Sequence, residues 1–341
     1  MNKDDAQAKL WKQEVEAKNR ALLELPPQGE KIATEITAEG GLSLSPAVAM
    51  KVADFVNANF PPKRAILKPI IQERDLFEIY AVRGAGKTLF ALQMACHIAS
   101  GTDFLKWHAS EPRRVLYVDG EMPAALLQYR LRMALKWGGI SLDQIGDRLK
   151  VVTPDIQEKF MMNLSTPQGQ AWLMPATVDA DVIFLDSLLT LAPHGKSNDA
   201  ESFMPMQELL LKLRSQGKTV GFIHHAGKSG RQLGTINKET VLDSVLGLDR
   251  AKESGADTAM ILHFDKTRNF YGEDAASLLV TLQEDEGWSY QNVENWIEAR
   301  AVELSNETTM TQREIADELG VDQSTVSRIL KRQGKGKKKG K

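Results

Sequence analysis

Eight consecutive residues, Ala81-Val82-Arg83-Gly84-Ala85-Gly86-Lys87-Thr88, combine the groups needed to hold a polyphosphate. Glycines let the backbone curl so that successive N–H groups face an anion. The apolar run Leu89 to Ile98 that follows reads as a helix, whose N-terminus adds partial positive charge. Lys87 can reach β- and γ-phosphates, and the Thr88 hydroxyl suits magnesium. The expected nucleotide contacts are therefore Arg83, Gly84, Ala85, Gly86, Lys87, Thr88 and Leu89, with ATP and Mg2+ as the ligands. Two later acids extend the set. Asp186 ends the apolar run Val182 to Leu185 and is the candidate to hold magnesium together with Thr88. Glu121 follows the run Val115 to Val118 and is the candidate to polarise an attacking water. Lys87 and Glu121 are thus the expected catalytic groups within the chain.

Such groups need strand ends to hold them. Apolar runs begin at Leu76, Val115, Val151, Val182, Val220, Ala259 and Leu278, and they alternate with helical stretches. That alternation predicts an α/β fold with a mostly parallel sheet flanked by helices. In such sheets ligands bind at the C-terminal ends of the strands, where Lys87, Glu121 and Asp186 all fall. The 341 residues suggest two or three domains. The expected division is a helical N-terminal arm at 1–75, an ATPase core at 76–285 and a linker with a short helix at 286–307. A compact helical unit at 308–332 and a basic tail at 333–341 complete it. Within the arm, Val48, Val52, Phe55 and Val56 have helical spacing.

Hydrophobic residues make up 42% and charged residues 26%, an ordinary globular balance. The net charge of −2 excludes a general polycation, so any nucleic-acid contact must come from local basic patches. The single cysteine, Cys96, permits no intrachain disulfide. No run approaches the roughly 20 apolar residues that span a bilayer. The expectation is a cytoplasmic protein without a membrane partner.

Residues 81–88 resemble the P-loop, with Ala81 where the pattern has its first glycine. Beyond that motif, Gly120-Glu121-Met122-Pro123 carries a resemblance to RecA-like ATPases, in the branch of DnaB-type hexameric replicative helicases and plasmid RepA helicases. In that branch the glutamate follows the strand after the P-loop helix. Ser187, beside Asp186, argues against AAA+ proteins, where the glutamate stands next to the aspartate. The resemblance implies several further roles. His224 or His225, ending the run Val220 to Ile223, would sense the γ-phosphate. Lys228, Arg231 and Lys238 in the next loop would grip single-stranded DNA in a central channel. Lys266 and Arg268, in the Lys266-Thr267-Arg268-Asn269 segment, would act on a neighbouring subunit's nucleotide. A homo-hexamer is implied.

Residues 311–330 resemble a bacterial helix-turn-helix. Thr311 lies three residues before Glu314, as in a capping box, and Gly320-Val321-Asp322 forms the turn. The second helix exposes Gln323, Ser324, Thr325 and Arg328, suited to base edges and phosphates of duplex DNA. The favoured expectation is a ring-forming replication helicase of plasmid or phage type. Its rivals are an ATP-dependent DNA-binding regulator without unwinding activity and a KaiC-like ATPase acting on protein partners.

Overall fold

The computed structural model describes residues 48–193, 200–226, 240–251 and 256–332. Residues 1–47 of the expected arm, the loop with Lys228, Arg231 and Lys238, and the tail from 333 lie outside the described residues. The chain divides into two units. The first, Met1–Arg64 with Ser215–Gly217, holds one described helix, α1 (Val52–Asn57). Its Val52, Phe55 and Val56 are exposed, and the Phe55 and Phe60 rings meet at 5.0 Å.

The second unit opens with a small antiparallel pair, β1 (Ala65–Leu67) and β2 (Ile71–Gln72). Its body is a nine-stranded sheet. Six strands run parallel: β3 (Leu76–Ala81), β4 (Val115–Asp119), β5 (Leu149–Val152), β6 (Val182–Asp186), β7 (Thr219–His225) and β8 (Ser244–Arg250). Antiparallel β9 (Thr258–Thr267), β10 (Leu278–Gln283) and β11 (Gly287–Asn292) extend one side. The order across the sheet is β11-β10-β9-β8-β3-β7-β6-β4-β5. β3 is therefore central, and every one of its residues is buried, the acid Glu78 among its apolar neighbours included.

Helices cover both faces, and the strand residues sort by their period of two. Phe77 and Ile79 of β3, Tyr117 of β4 and Phe184 of β6 join one core with α2 (Lys87–Ser100) and α3 (Ala124–Gly138). Leu76, Tyr80, Leu116, Val118, Ile183 and Leu185 face the other core. There they meet α5 (Pro167–Thr177), α6 (Leu188–Leu191) and α7 (Ala200–Ser215), while the short α4 (Leu142–Ile145) packs beside α2. The expected mostly parallel sheet flanked by helices is thus the observed fold. Each expected apolar run became a strand.

Two sheet strands escaped the sequence reading. β8 carries Gly247 at its centre and Asp249-Arg250 at its end, which breaks the apolar pattern. The glycine is required there, because a Cβ would come within 2.8 Å of the Tyr80 hydroxyl. β11 is an edge strand of Trp288, Ser289, Tyr290 and Gln291, with little apolar signal. Residues 286–307, read as linker and short helix, instead form β11 and the 15-residue helix α8 (Val293–Glu307).

After α8 come α9 (Gln312–Leu319) and α10 (Gln323–Arg332). Thr311 caps α9 with Glu314 in the expected box, and Gly320 ends it in the left-handed region at φ 65°. The three helices share a core of Trp296, Ala301, Ile315, Leu319, Val326 and Leu330. Leu279 of β10 also enters that core, so the helical unit is packed onto the sheet extension. Truncating this fully buried side chain in Leu279→Ala is expected to lower unfolding free energy by about 2–4 kcal/mol. Denaturant unfolding of the full chain checks this.

Candidate nucleotide site

β3 leads into the glycine-rich loop, and α2 starts at Lys87. Gly84 and Gly86 take φ of 75° and 90°, a region open to glycine and costly for other residues. Gly86 is the N-cap of α2, and no side chain caps that helix end. Its first N–H groups are therefore available to an anion. Inside the loop, the buried Lys87 ammonium donates to the Val82 carbonyl at 3.1 Å. Burial pulls the Lys87 pKa down, while Asp186 and Glu121 oppose that shift.

The acids come from the ends of β4 and β6, where Asp119 pairs with Asp186. Asp186 is buried and accepts from the Tyr117 hydroxyl at 2.7 Å. Burial raises its pKa, and hydrogen bonds from Tyr117 and Thr88 hold it back. Thr88 and Asp186 therefore meet, as a shared magnesium site requires. Asp119 turns the chain into α3: its Oδ1 accepts from the N–H groups of Glu121 and Met122 at 2.7 and 2.8 Å. The Thr153 hydroxyl holds the Met122 carbonyl, and Asp155 accepts from the Ala124 N–H. Gly120 lies so close to Leu191 and Thr190 that a Cβ would clash. This bracing leaves the Glu121 side chain exposed at the mouth of the site.

The result is a cleft of about 710 Å³ lined by Arg83, Lys87, Thr88, Glu121, Asp186 and His225, among others. Its size suits a small organic ligand. The two candidate sensor histidines separate by strand alternation. His225, paired with Ala81, lies on the loop side and lines the cleft. His224, paired with Tyr80, is buried on the other face. Burial, followed by the nearby Lys87 and Arg83 charges, pulls the His225 pKa down, so the neutral ring is favoured.

Lys266 and Arg268 sit elsewhere. Thr267 pairs with Ser244, and Ser244 lies beside Phe77 at the start of β3, whereas the loop leaves its far end. Arg268 donates to buried Asp243 at 3.2 Å and to the Thr240 carbonyl at 3.1 Å, and Arg214 also pairs with Asp243. Neither Lys266 nor Arg268 is part of its own chain's cleft. In the helical unit, Gln323, Ser324 and Arg328 are exposed on α10 and Thr325 is partly covered, with Arg328 donating to Thr325 at 3.2 Å.

The sequence reading missed Tyr117, Asp119, Arg130 and Thr258, all at or beside the cleft. Only Asp119 had a local signal, as the acid that ends its strand two residues before Glu121. Burial pushes its pKa up to about 6. A carboxyl whose folded pKa is raised favours folding most at low pH, and that contribution is lost as pH rises from about 4 through 6. Asp119→Asn keeps an oxygen for the two N–H groups and removes the charge. The variant is expected to be more stable than the parent at pH 7.5 by about 1–3 kcal/mol, with the difference shrinking at pH 4. Denaturant unfolding of ligand-free protein at both pH values measures it.

A family model described as an AAA domain matches residues 44–231, and one described as a homeodomain-like domain matches residues 292–337. Among solved structures, the chain is similar to a KaiC-like protein of the hyperthermophilic archaeon Pyrococcus horikoshii OT3. The identity is 16%, the match covers 66% of this chain and 93% of that one, and the TM-score is 0.48. The matched family carries the AAA description although Ser187, not an acid, follows Asp186, so that neighbour does not separate the chain from proteins so named. The chain belongs to the AAA-domain family of P-loop ATPases and ends in a homeodomain-like helical domain.

Proposed function

We propose that the protein is an ATP-hydrolysing, DNA-binding motor that works as a ring, a replication helicase of plasmid or phage type. The observation that carries this reading is the gathering of Lys87, the Thr88–Asp186 pair and Glu121 around one cleft, on a core that bears a homeodomain-like domain. The loop N–H groups and Lys87 bind the phosphates, Lys87 exchanging the Val82 carbonyl for a phosphate oxygen. Thr88 and Asp186 offer hard oxygen ligands that fit magnesium, which when bound neutralises charge on the β- and γ-phosphates. Glu121 orients the attacking water and accepts its proton. His225, neutral and lining the cleft, hydrogen-bonds the terminal phosphate and passes its loss to the loop with Lys228, Arg231 and Lys238.

Lys266 and Arg268 lie across the sheet from their own P-loop, which suits action on the nucleotide of a neighbouring copy. For Arg268 this means leaving Asp243 for a phosphate. The proposed ring is a hexamer. A second reading, a DNA-binding regulator without unwinding, is favoured by one observation. The helical domain is packed onto β10 with its α10 polar residues outward, as a duplex reader would present them. Strand displacement separates the two. Unwinding with hydrolysis stimulated by single-stranded DNA supports the motor, and tight binding to one duplex without unwinding supports the regulator.

Two substitutions test the residue assignments. Glu121→Gln is expected to reduce hydrolysis at least about 100-fold while nucleotide affinity stays within about threefold. Steady-state turnover and equilibrium binding together check this, and unchanged turnover would remove Glu121 from the chemistry. Arg328→Ala is expected to weaken duplex binding about 3- to 10-fold and to lower the salt dependence by roughly one phosphate contact. Titrations at several salt concentrations measure both effects.

A further inference from the structure

Arg250, the last residue of β8, reaches the glycine-rich loop. Its Nη2 donates to the Arg83 carbonyl at 2.6 Å. The same nitrogen would stand 2.6 Å from a Cβ on Gly84, so the guanidinium lies directly against the loop. The frame that carries it is fixed. Arg250 pairs with Met260 of β9, and the Ala251 N–H donates to the Ala259 carbonyl at 3.0 Å. Ala251 itself packs against the core of the C-terminal helical domain. β9 presses on the loop as well: a Cβ on Gly86 would come 3.0 Å from Met260 and 3.3 Å from Thr258.

A phosphate-binding loop must point its N–H groups inward, which turns carbonyl groups outward. Those carbonyls need partners. The Val82 carbonyl has the Ala85 N–H and Lys87, and Lys87 is the group that must leave when a phosphate arrives. The Arg83 carbonyl has Arg250, which does not line the cleft and so can keep its hold when a phosphate arrives. We propose that Arg250 is a positioning residue for nucleotide binding, holding the loop in its phosphate-receiving curl. Its guanidinium also adds positive potential near Lys87. This role was not legible in the sequence, because β8 itself was not.

The inference rests on nucleotide binding at this cleft. Its test uses the full chain, a fluorescent ATP analogue with magnesium, and the variants Arg250→Ala and Arg250→Lys. Loss of a charge-assisted hydrogen bond to the loop is expected to raise the dissociation constant about tenfold or more in Arg250→Ala. KM for ATP should rise in parallel while kcat changes less than about threefold. Arg250→Lys, which keeps one cationic donor, should recover most of the affinity. The thermal midpoint of the nucleotide-free protein should be the same in all three. Arg250→Ala binding as tightly as the parent would overturn the inference and leave the nucleotide reading intact. Weaker binding accompanied by a lowered nucleotide-free midpoint, or no recovery in Arg250→Lys, would also overturn it, marking Arg250 as a general structural contact. A parent chain that binds no nucleotide would overturn both readings, a pattern distinct from the others.

Discussion

The site exists because β4, β6, β7 and β3 run parallel in one register, so that distant residues finish at the same end of the sheet. Asp119 stands beside Asp186, and His225 stands beside Ala81, where the glycine-rich loop departs. Side chains alternate along each strand, so a slip of one residue would turn every one of these groups to the opposite face. Leu185 would then replace Asp186, and His224 would replace His225. The apolar alternation of Phe77, Tyr117 and Phe184 on one face and Tyr80, Val118 and Leu185 on the other holds the register. The two cores therefore do more than stabilise the fold, since they choose which polar residues meet.

That arrangement carries an electrostatic cost. Lys87, Asp119 and Asp186 are all buried, and burial works against the charged form of each. Tyr117, Thr88 and the opposed charges of Lys87 and Asp186 offset part of it. One oxygen of Asp119 has no hydrogen-bond partner among the described residues. Groups held this way gain more from a charged ligand than exposed groups would. The Lys87 contact with the Val82 carbonyl fits the same logic, as a bond that satisfies the ammonium until a better acceptor arrives.

The legible parts of the sequence were the local ones. A strand, a glycine turn and an apolar helix in succession place residues 76–98 without reference to the rest of the chain. The Thr311–Glu314 capping box is likewise a four-residue pattern, and it forms as read. What could not be read depends on pairing across the sheet. β8 hides behind Gly247, whose small size matters only because the Tyr80 hydroxyl and His263 occupy the space beside it. With β8 hidden, Arg250 had no visible route to the loop. The separation of His224 from His225 follows from strand alternation, but which of them faces the loop depends on the register with β3. The edge strand β11 and helix α8 read as a linker because β11 is largely polar and α8 buries its apolar residues against the C-terminal helices.

The same frame joins the glycine-rich loop to the C-terminal helical domain. β8 and β9 carry Arg250 and Met260 against the loop, while Ala251, Ile261 and Leu279 belong to the helical core. The central claim remains the single cleft in which Lys87, Thr88, Asp186 and Glu121 act on one nucleotide. A crystal structure of the chain with magnesium and a non-hydrolysable ATP analogue tests it most directly. Phosphates should lie cradled by residues 83–88, with Lys87 released from the Val82 carbonyl, magnesium held by Thr88 and Asp186, and Glu121 facing the terminal phosphate. Nucleotide bound elsewhere, or bound with Lys87 still on Val82, would contradict it.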